Sequence, residues 1–216
     1  MLLWIKGSPT PQEIRKRLLD RDSEFQRAMI EYLEGAHAGE FLTGSAEQVE
    51  EAVKEAEKER NYVKPSLELP KCPPKLCKRR KGNSAEACPD CQPYMEWQRN
   101  FESTVDNLLF RLNRHKHHAG CTDPKHETCK SRFPRDTHPV TTVDPETGSI
   151  IMRQNEAWLN TFSYVLTYVL RCNTDVTSLL SGTAIKSIIA YITDYITKTP
   201  LKTHVMFDAV RTVFER

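Results

Sequence analysis

Six of the seven cysteines fall between residues 72 and 129. The spacing runs Cys72-x4-Cys77-x10-Cys88-x2-Cys91, followed further along by His115, His117, Cys121 and Cys129. Two thiolates on a Cys-Pro-Asp-Cys turn can reach one tetrahedral ion, so Cys88 and Cys91 have the spacing of a zinc knuckle. Cys72 and Cys77 are far enough apart to bracket a loop. The stretch between Cys91 and His115 has to bring the chain back so that His115 or His117 joins Cys121 and Cys129. Structural zinc is the chemistry this set expects, in one four-coordinate site with ligands to spare or in two sites. Disulfides compete, but a chain without a secretion signal is expected in a reducing compartment that disfavours them. A plain set of free thiols and surface histidines is the third reading. Cys172 stands alone in an apolar stretch and reads as a small core residue.

Residues 181–198 read SGTAIKSIIAYITDYITK. On a helix of about 100° per residue, Tyr195 lies about 40° from Tyr191 and Lys198 about 20° away on the other side. Ile185, Ile188, Ile189, Ile192 and Ile196 fill the adjoining arc from about 60° to about 160°. The tyrosines therefore flank the apolar stripe and share a face with a lysine. Such a pair can be an ordinary boundary pair, with rings half covered and hydroxyls wet. It can also be a nucleophile pair for phosphodiesters, in which a phenolate forms a covalent phosphotyrosine and conserves the bond energy for rejoining. A phenol with an unperturbed pKa of about 10 needs a cation or a metal beside it at neutral pH. Lys198 is placed to supply positive charge.

These groups need elements to hold them. Met1 to Ile5 reads as a strand with no turn or cap before it. Thr10-Pro11-Gln12-Glu13 is a capping box with proline at the first helical position, so a helix starts there. A second helix runs from Ser23, with Phe25, Ala28, Met29, Tyr32 and Leu33 on one stripe. Residues 45–60 are helical in composition, but only Val49 and Val53 give them an apolar face, so a solvent-exposed helix is expected. Prolines 65, 70, 73, 74, 89 and 93 forbid long regular elements across 61–93. Trp97, Phe101, Val105, Leu108 and Leu112 then recur at helical spacing, which predicts a long amphipathic helix over 94–114. Residues 140–143 and 149–153 read as two strands joined by the turn Asp144-Pro145-Glu146-Thr147-Gly148. From Trp158 the pattern is helical again, through Phe162, Val165, Leu166 and Val169, with further helices over 180–197 and 203–214.

The 216 residues carry a formal net charge of +2, which conceals a polarity. Residues 1–70 are net −4, residues 71–135 net +7, and residues 136–216 net −1. The basic middle block contains the run Lys78-Arg79-Arg80-Lys81, with Arg132 and Arg135 at its end. Basic charge beside cysteines expects an anionic partner such as nucleic acid, with a solvated basic loop as the alternative. No apolar run approaches the roughly 18 residues of a membrane span, so no membrane partner is expected. Cytosol or nucleus is the default compartment.

Several separated stretches, in order, resemble one family. Cys129-Lys-Ser-Arg-Phe133-Pro134-Arg135, the Asp-Pro-Glu-Thr-Gly turn, Leu170-Arg-Cys-Asn-Thr-Asp-Val and Tyr191-Ile-Thr-Asp-Tyr195-Ile-Thr-Lys198 are similar to the Helitron helicase-like region. That region is the replication-initiator part of rolling-circle transposases. The opening Met-Leu-Leu-Trp-Ile-Lys-Gly and the cysteine-rich middle are similar to versions from fungal genomes. The resemblance implies a single-stranded DNA nickase of the His-hydrophobic-His type, working in the nucleus, with a helicase on the same polypeptide. It implies catalytic roles for Tyr191, Tyr195 and Lys198, while the charge of the basic block makes Lys78, Arg79, Arg80, Lys81, Arg132 and Arg135 the expected DNA contacts. Magnesium or manganese is expected for the complete domain only.

Two departures shape the expectation. In the family the metal-binding His-hydrophobic-His strand lies directly before the Met-Leu-Leu-Trp segment, and this sequence starts at that Met. His115-Lys116-His117 does not fit the motif. No Gly-x-x-x-x-Gly-Lys-Ser/Thr phosphate loop is present. The expected molecule is a helix-rich α+β fragment of a His-hydrophobic-His endonuclease domain with a zinc-binding Cys/His insertion. Its segments are 1–70 (strand remnant and helices), 71–135 (basic Cys/His insertion around a long helix) and 136–216 (hairpin and the tyrosine helices). Two competing readings are a zinc-stabilised module that binds single-stranded DNA without cutting it, and a decayed transposon remnant.

Overall fold

The computed structural model describes residues 6–75, 91–118, 120–121 and 129–177, together with 188–190, 192–193 and 197. The opening strand, the second and third cysteines, the basic run 78–81, both tyrosines, Lys198 and the expected helix over 203–214 lie outside the described residues. Over what is described, the chain is helix-rich with one small antiparallel sheet, an α+β arrangement. No described helix is long and apolar enough to cross a membrane.

Helix α1 (Pro11–Leu18) begins as its capping box dictates. The Glu13 amide donates to Thr10 Oγ1, and the Thr10 amide donates back to Glu13 Oε2 at 2.7 Å. These two bonds satisfy two of the orphan donors at the helix start. Helix α2 (Glu24–Ala36) is capped by Ser23 and buries Leu33. Tyr32, expected on the apolar stripe, is instead 71% exposed.

Helix α3 (Ala46–Ala56) opens on a second capping box, Ser45 with Gln48. It is not the solvent-exposed helix that its composition suggested. Its thin face is enough, because Val49 and Val53 pack with Val105, Leu109 and Phe110 in the main core. The helix opposite and the turn that ends it present Val105, Leu109 and Phe110, so two valines suffice to seat α3 against that face. Replacing Val49 with Ala should cost about 2 kcal/mol, from roughly 0.8 kcal/mol per buried methylene plus a small cavity. Urea unfolding will measure it, and a cost below about 0.5 kcal/mol would return α3 to the surface.

Helix α4 (Gln92–Leu108) supplies the spine of the fold. It does not end at 114 as a plain α-helix. Its last turn, Leu109–Asn113, is a π turn, closed by the Arg114 amide donating to the Leu109 carbonyl at 2.8 Å. Strands β1 (Thr142–Val143) and β2 (Ile150–Ile151) pair antiparallel around the expected turn, with Thr142 opposite Ile151. Asp144 accepts the Glu146 amide and the Thr147 hydroxyl, and Gly148 takes a φ of +65° that favours glycine. Arg15 of α1 donates to the Thr147 carbonyl and so ties the hairpin to the first helix.

Helix α5 (Tyr164–Leu170) starts later than the pattern from Trp158 suggested. The preceding stretch is non-helical, with a turn at Ala157–Trp158, because its backbone groups are already engaged elsewhere. Ala38 and Phe162 exchange hydrogen bonds as an antiparallel bridge, and the carbonyls of Ala157 and Trp158 accept from Arg135 and His115. Gly39 passes so close to this stretch that a Cβ there would stand 2.9 Å from Gln154 Cα. Leu159, Phe162 and Tyr168 complete the core, while Val165, Leu166 and Val169 are exposed. Cys172 is also exposed rather than a core residue, because α5 ends on Arg171 in the left-handed region and the chain turns outward. The core thus draws on all three segments of the sequence.

Candidate metal centre and basic cleft

The π turn delivers the chain to His115 directly below the core. Its amide donates to the Trp158 carbonyl at 2.9 Å, which fixes the backbone. Its ring lies flat on Phe133, with centroids 4.3 Å apart and planes 7° from parallel. Held this way, Nε2 points at two sulfurs. It stands 3.1 Å from Cys121 Sγ and 3.4 Å from Cys129 Sγ, and the two sulfurs are 3.3 Å apart. Ligand atoms on a tetrahedral zinc lie about 3.6–3.8 Å from one another, given Zn–S and Zn–N bonds of roughly 2.3 and 2.0 Å. The triad therefore needs only a few tenths of an ångström of expansion to seat an ion. Cys121 is buried and Cys129 half-buried.

The electrostatics act differently on the three groups. Burial, followed by the nearby charges of His117, His118 and Arg135, pushes the His115 imidazole below its ordinary value. The shift favours the neutral ring, the form in which an imidazole ligates a metal. Burial works against the Cys129 thiolate, but the amides of Phe133, Ser131 and Arg132 and the Cys121 thiol outweigh it and lower the pKa. Cys121 is pushed up, first by its hydrogen bond to Cys129. Backbone bonds set the loop geometry: Lys130 donates to the Cys121 carbonyl, and Arg132 donates to the Cys129 carbonyl, both at 2.8 Å. These two bonds close the tight turn that carries Cys129.

Of the eight expected ligands, the structure brings three together. His117 lies beside them, its ring edge-on to His115 at 5.2 Å and to Trp158 at 5.3 Å. Cys72 is exposed near the start of the basic segment, and Cys91 is buried at the start of α4. Neither joins the group among the described residues. Cys77 and Cys88 lie outside them.

A cleft of about 460 Å³ opens beside the triad. Arg114, His115, Lys116, Lys130, Arg132 and Arg135 line it, with three asparagines and no carboxylate among the lining residues. Arg132 and Arg135 were expected DNA contacts, and the cleft brings them together. Arg135 is held in place, its guanidinium 4.7 Å above the Phe133 ring and donating to Asn160 Oδ1 at 2.8 Å. Arg114 instead pairs with Glu50 at 3.2 Å and lies over Phe110. Sequence reasoning missed Lys116, Lys130 and Asn160, and missed Phe133 as the platform for His115. The adjacency of Lys130 to Cys129 was the available signal for one of them. The rest depend on how α4 ends.

Compared with known proteins, the chain matches no family model, no curated protein and no solved structure.

Proposed function

We propose that this chain is the single-stranded-DNA-binding part of a rolling-circle transposase initiator, similar to the Helitron helicase-like region and stabilised by zinc at His115, Cys121 and Cys129. The observation that carries it is the cleft lined by cations and free of carboxylates, set against the metal triad. A polyanion with exposed bases suits such a site, since phosphates meet the cations and bases can stack on flat side chains. The stretch from Cys129 to Arg135 that resembles the family also forms one wall of this cleft. The finer fold is that of a His-hydrophobic-His endonuclease domain, and the parent activity, nicking and joining, belongs to Tyr191 and Tyr195 with Lys198 beside them. That activity calls on magnesium or manganese in the complete domain. A helicase on the same polypeptide and a nuclear location complete the proposal. Zinc-supported binding without turnover is the reading favoured for these 216 residues.

The test is salt dependence. Binding of an oligo-dT probe should weaken linearly in log–log form as salt rises, with a slope of about −0.7 per phosphate neutralised on a single strand. The double substitution Arg132→Gln, Arg135→Gln should make that slope shallower by about 1.4. Neutralising Lys78, Arg79, Arg80 and Lys81 together measures the share of the basic run. An unchanged slope in the cleft variant would leave the cleft as a solvated surface.

A further inference from the structure

The two walls of the basic cleft are fastened in different ways. Residues 114–116 leave the π turn and are fixed by the His115–Trp158 backbone bond. On the other wall, Phe133 is held by its stack on His115, and Arg135 by the Ala157 carbonyl, Asn160 and the Phe133 ring. Lys130 and Arg132 have none of these anchors, the Lys130 ammonium reaching instead the Gly120 carbonyl next to Cys121, at 3.2 Å. Their backbone is fixed by the turn around Cys129, through Arg132 N–H to the Cys129 carbonyl and Lys130 N–H to the Cys121 carbonyl. Arg132 adopts a φ of 59°, a left-handed conformation that a residue with a Cβ keeps only where its surroundings impose it. What imposes it is the turn closed by the Arg132 amide on the Cys129 carbonyl, with the Cys129 sulfur held 3.3 Å from Cys121 Sγ and 3.4 Å from His115 Nε2. Two of the cations that line the cleft are therefore positioned through a metal ligand.

We infer that occupancy of the His115–Cys121–Cys129 site by zinc sets the affinity of the adjacent cleft for single-stranded DNA, by fixing Lys130 and Arg132 in the turn that follows Cys129. The inference rests on the DNA-binding reading above. With an ion bound, Cys129 is pinned to Cys121 and His115, and the turn and its two cations are held at the cleft wall. Without it, the three ligands are joined only by weak thiol and imidazole hydrogen bonds, and Arg132 can relax out of its left-handed conformation. Lys130 and Arg132 then become positioning-dependent contacts that ordering must first recover. Arg135 and Lys116 keep their places in both states. Metal removal should thus weaken binding in part, leaving a residual salt-dependent component.

The experiment compares zinc-loaded and chelator-stripped full chain, using a labelled 20-nucleotide oligo-dT and fluorescence anisotropy across a salt series. Losing two phosphate contacts should make the slope shallower by about 1.4 and weaken binding about 25-fold at 0.1 M salt. The substitution Lys130→Gln, Arg132→Gln should cost a similar factor in the loaded protein but less than about twofold in the stripped protein, since coupled groups are non-additive. Near-ultraviolet circular dichroism of the tryptophans reports whether the stripped core persists. Equal slopes in the two metal states would overturn the inference while leaving DNA binding intact. A double variant that loses the same factor in both states would also overturn it, because the ion would then act elsewhere. Collapse of the near-ultraviolet signal on stripping would do the same, making the ion a support for the whole fold. No binding by either state would remove the DNA reading and this inference together.

Discussion

Replacing Asp106 with Ala will destabilise the protein by about 4 kcal/mol, the largest single-residue stability effect expected here. Asp106 is 2% exposed on α4, and its carboxylate gathers the loop between α2 and α3. Oδ1 accepts the Leu42 amide at 2.9 Å, and Oδ2 accepts the Thr43 amide at 2.7 Å and the Thr43 hydroxyl at 2.6 Å. Alanine strands all three donors, at roughly 1–3 kcal/mol for each donor left unsatisfied, less whatever water recovers. The loop that it anchors leads into the Ser45 cap, so α3 should loosen with it. A cost below about 1.5 kcal/mol in urea unfolding would mean the loop stands without Asp106. The pH dependence has a definite sign. Burial raises the Asp106 carboxyl above its ordinary value, against the opposing pull of the Leu42 and Thr43 donors. Its stabilising contribution is therefore complete below the unfolded value of about 3.9 and declines as pH rises through the higher folded value. The stability gap between wild type and Asp106→Ala should narrow as pH rises above about 4, and a gap that widens would contradict this assignment.

Cys129→Ser and His115→Ala will each remove zinc from the purified protein. Wild type should carry at least about one zinc per chain, because the triad already has near-tetrahedral spacing and Phe133 and the Trp158 carbonyl hold His115 toward both sulfurs. Serine cannot supply a thiolate, and alanine removes the ring that Phe133 orients. Cys72→Ser should retain the ion, since Cys72 does not join the group among the described residues. Metal analysis of freshly prepared protein distinguishes the cases. Zinc retained in Cys129→Ser but lost in Cys72→Ser would relocate the site, and wild type with less than a tenth of an equivalent would eliminate it.

How much of this was legible in the sequence depended on whether the cause was local. The first helix start was readable because a capping box is a self-contained exchange of two hydrogen bonds within four residues, whereas the third helix was read from composition and its Ser45–Gln48 box emerged only in the fold. The hairpin turn was readable for the same reason, since Asp144 and Gly148 do their work within it. The burial of α3 was not, because two valines become core only through the apolar face that α4 presents to them. The non-helical stretch before α5 was not, because Ala38, His115 and Arg135, all distant in sequence, claim its backbone. At the metal centre, residue type and spacing gave the candidates, but the grouping of His115 with Cys121 and Cys129 needed the fold. Asp106 was missed outright, since an acid on the flank of an amphipathic helix carries no sign of the loop it will hold.

The π turn at Leu109–Asn113 carries a consequence for the history of this sequence. A π turn contains one residue more than the α-helical turn that would span the same place. Deleting any one of those five residues would let the helix close normally, and would swing everything after it by about 100° around the axis. Asn113 would leave Thr174, whose carbonyl its amide meets at 2.7 Å, and His115 would face away from both cysteines. Substitutions within the turn are tolerable wherever size and polarity are kept; changes in its length are not. Descendants that keep these three side chains together can therefore vary at the solvent-facing positions between Trp97 and His115, but they must keep the same number of residues.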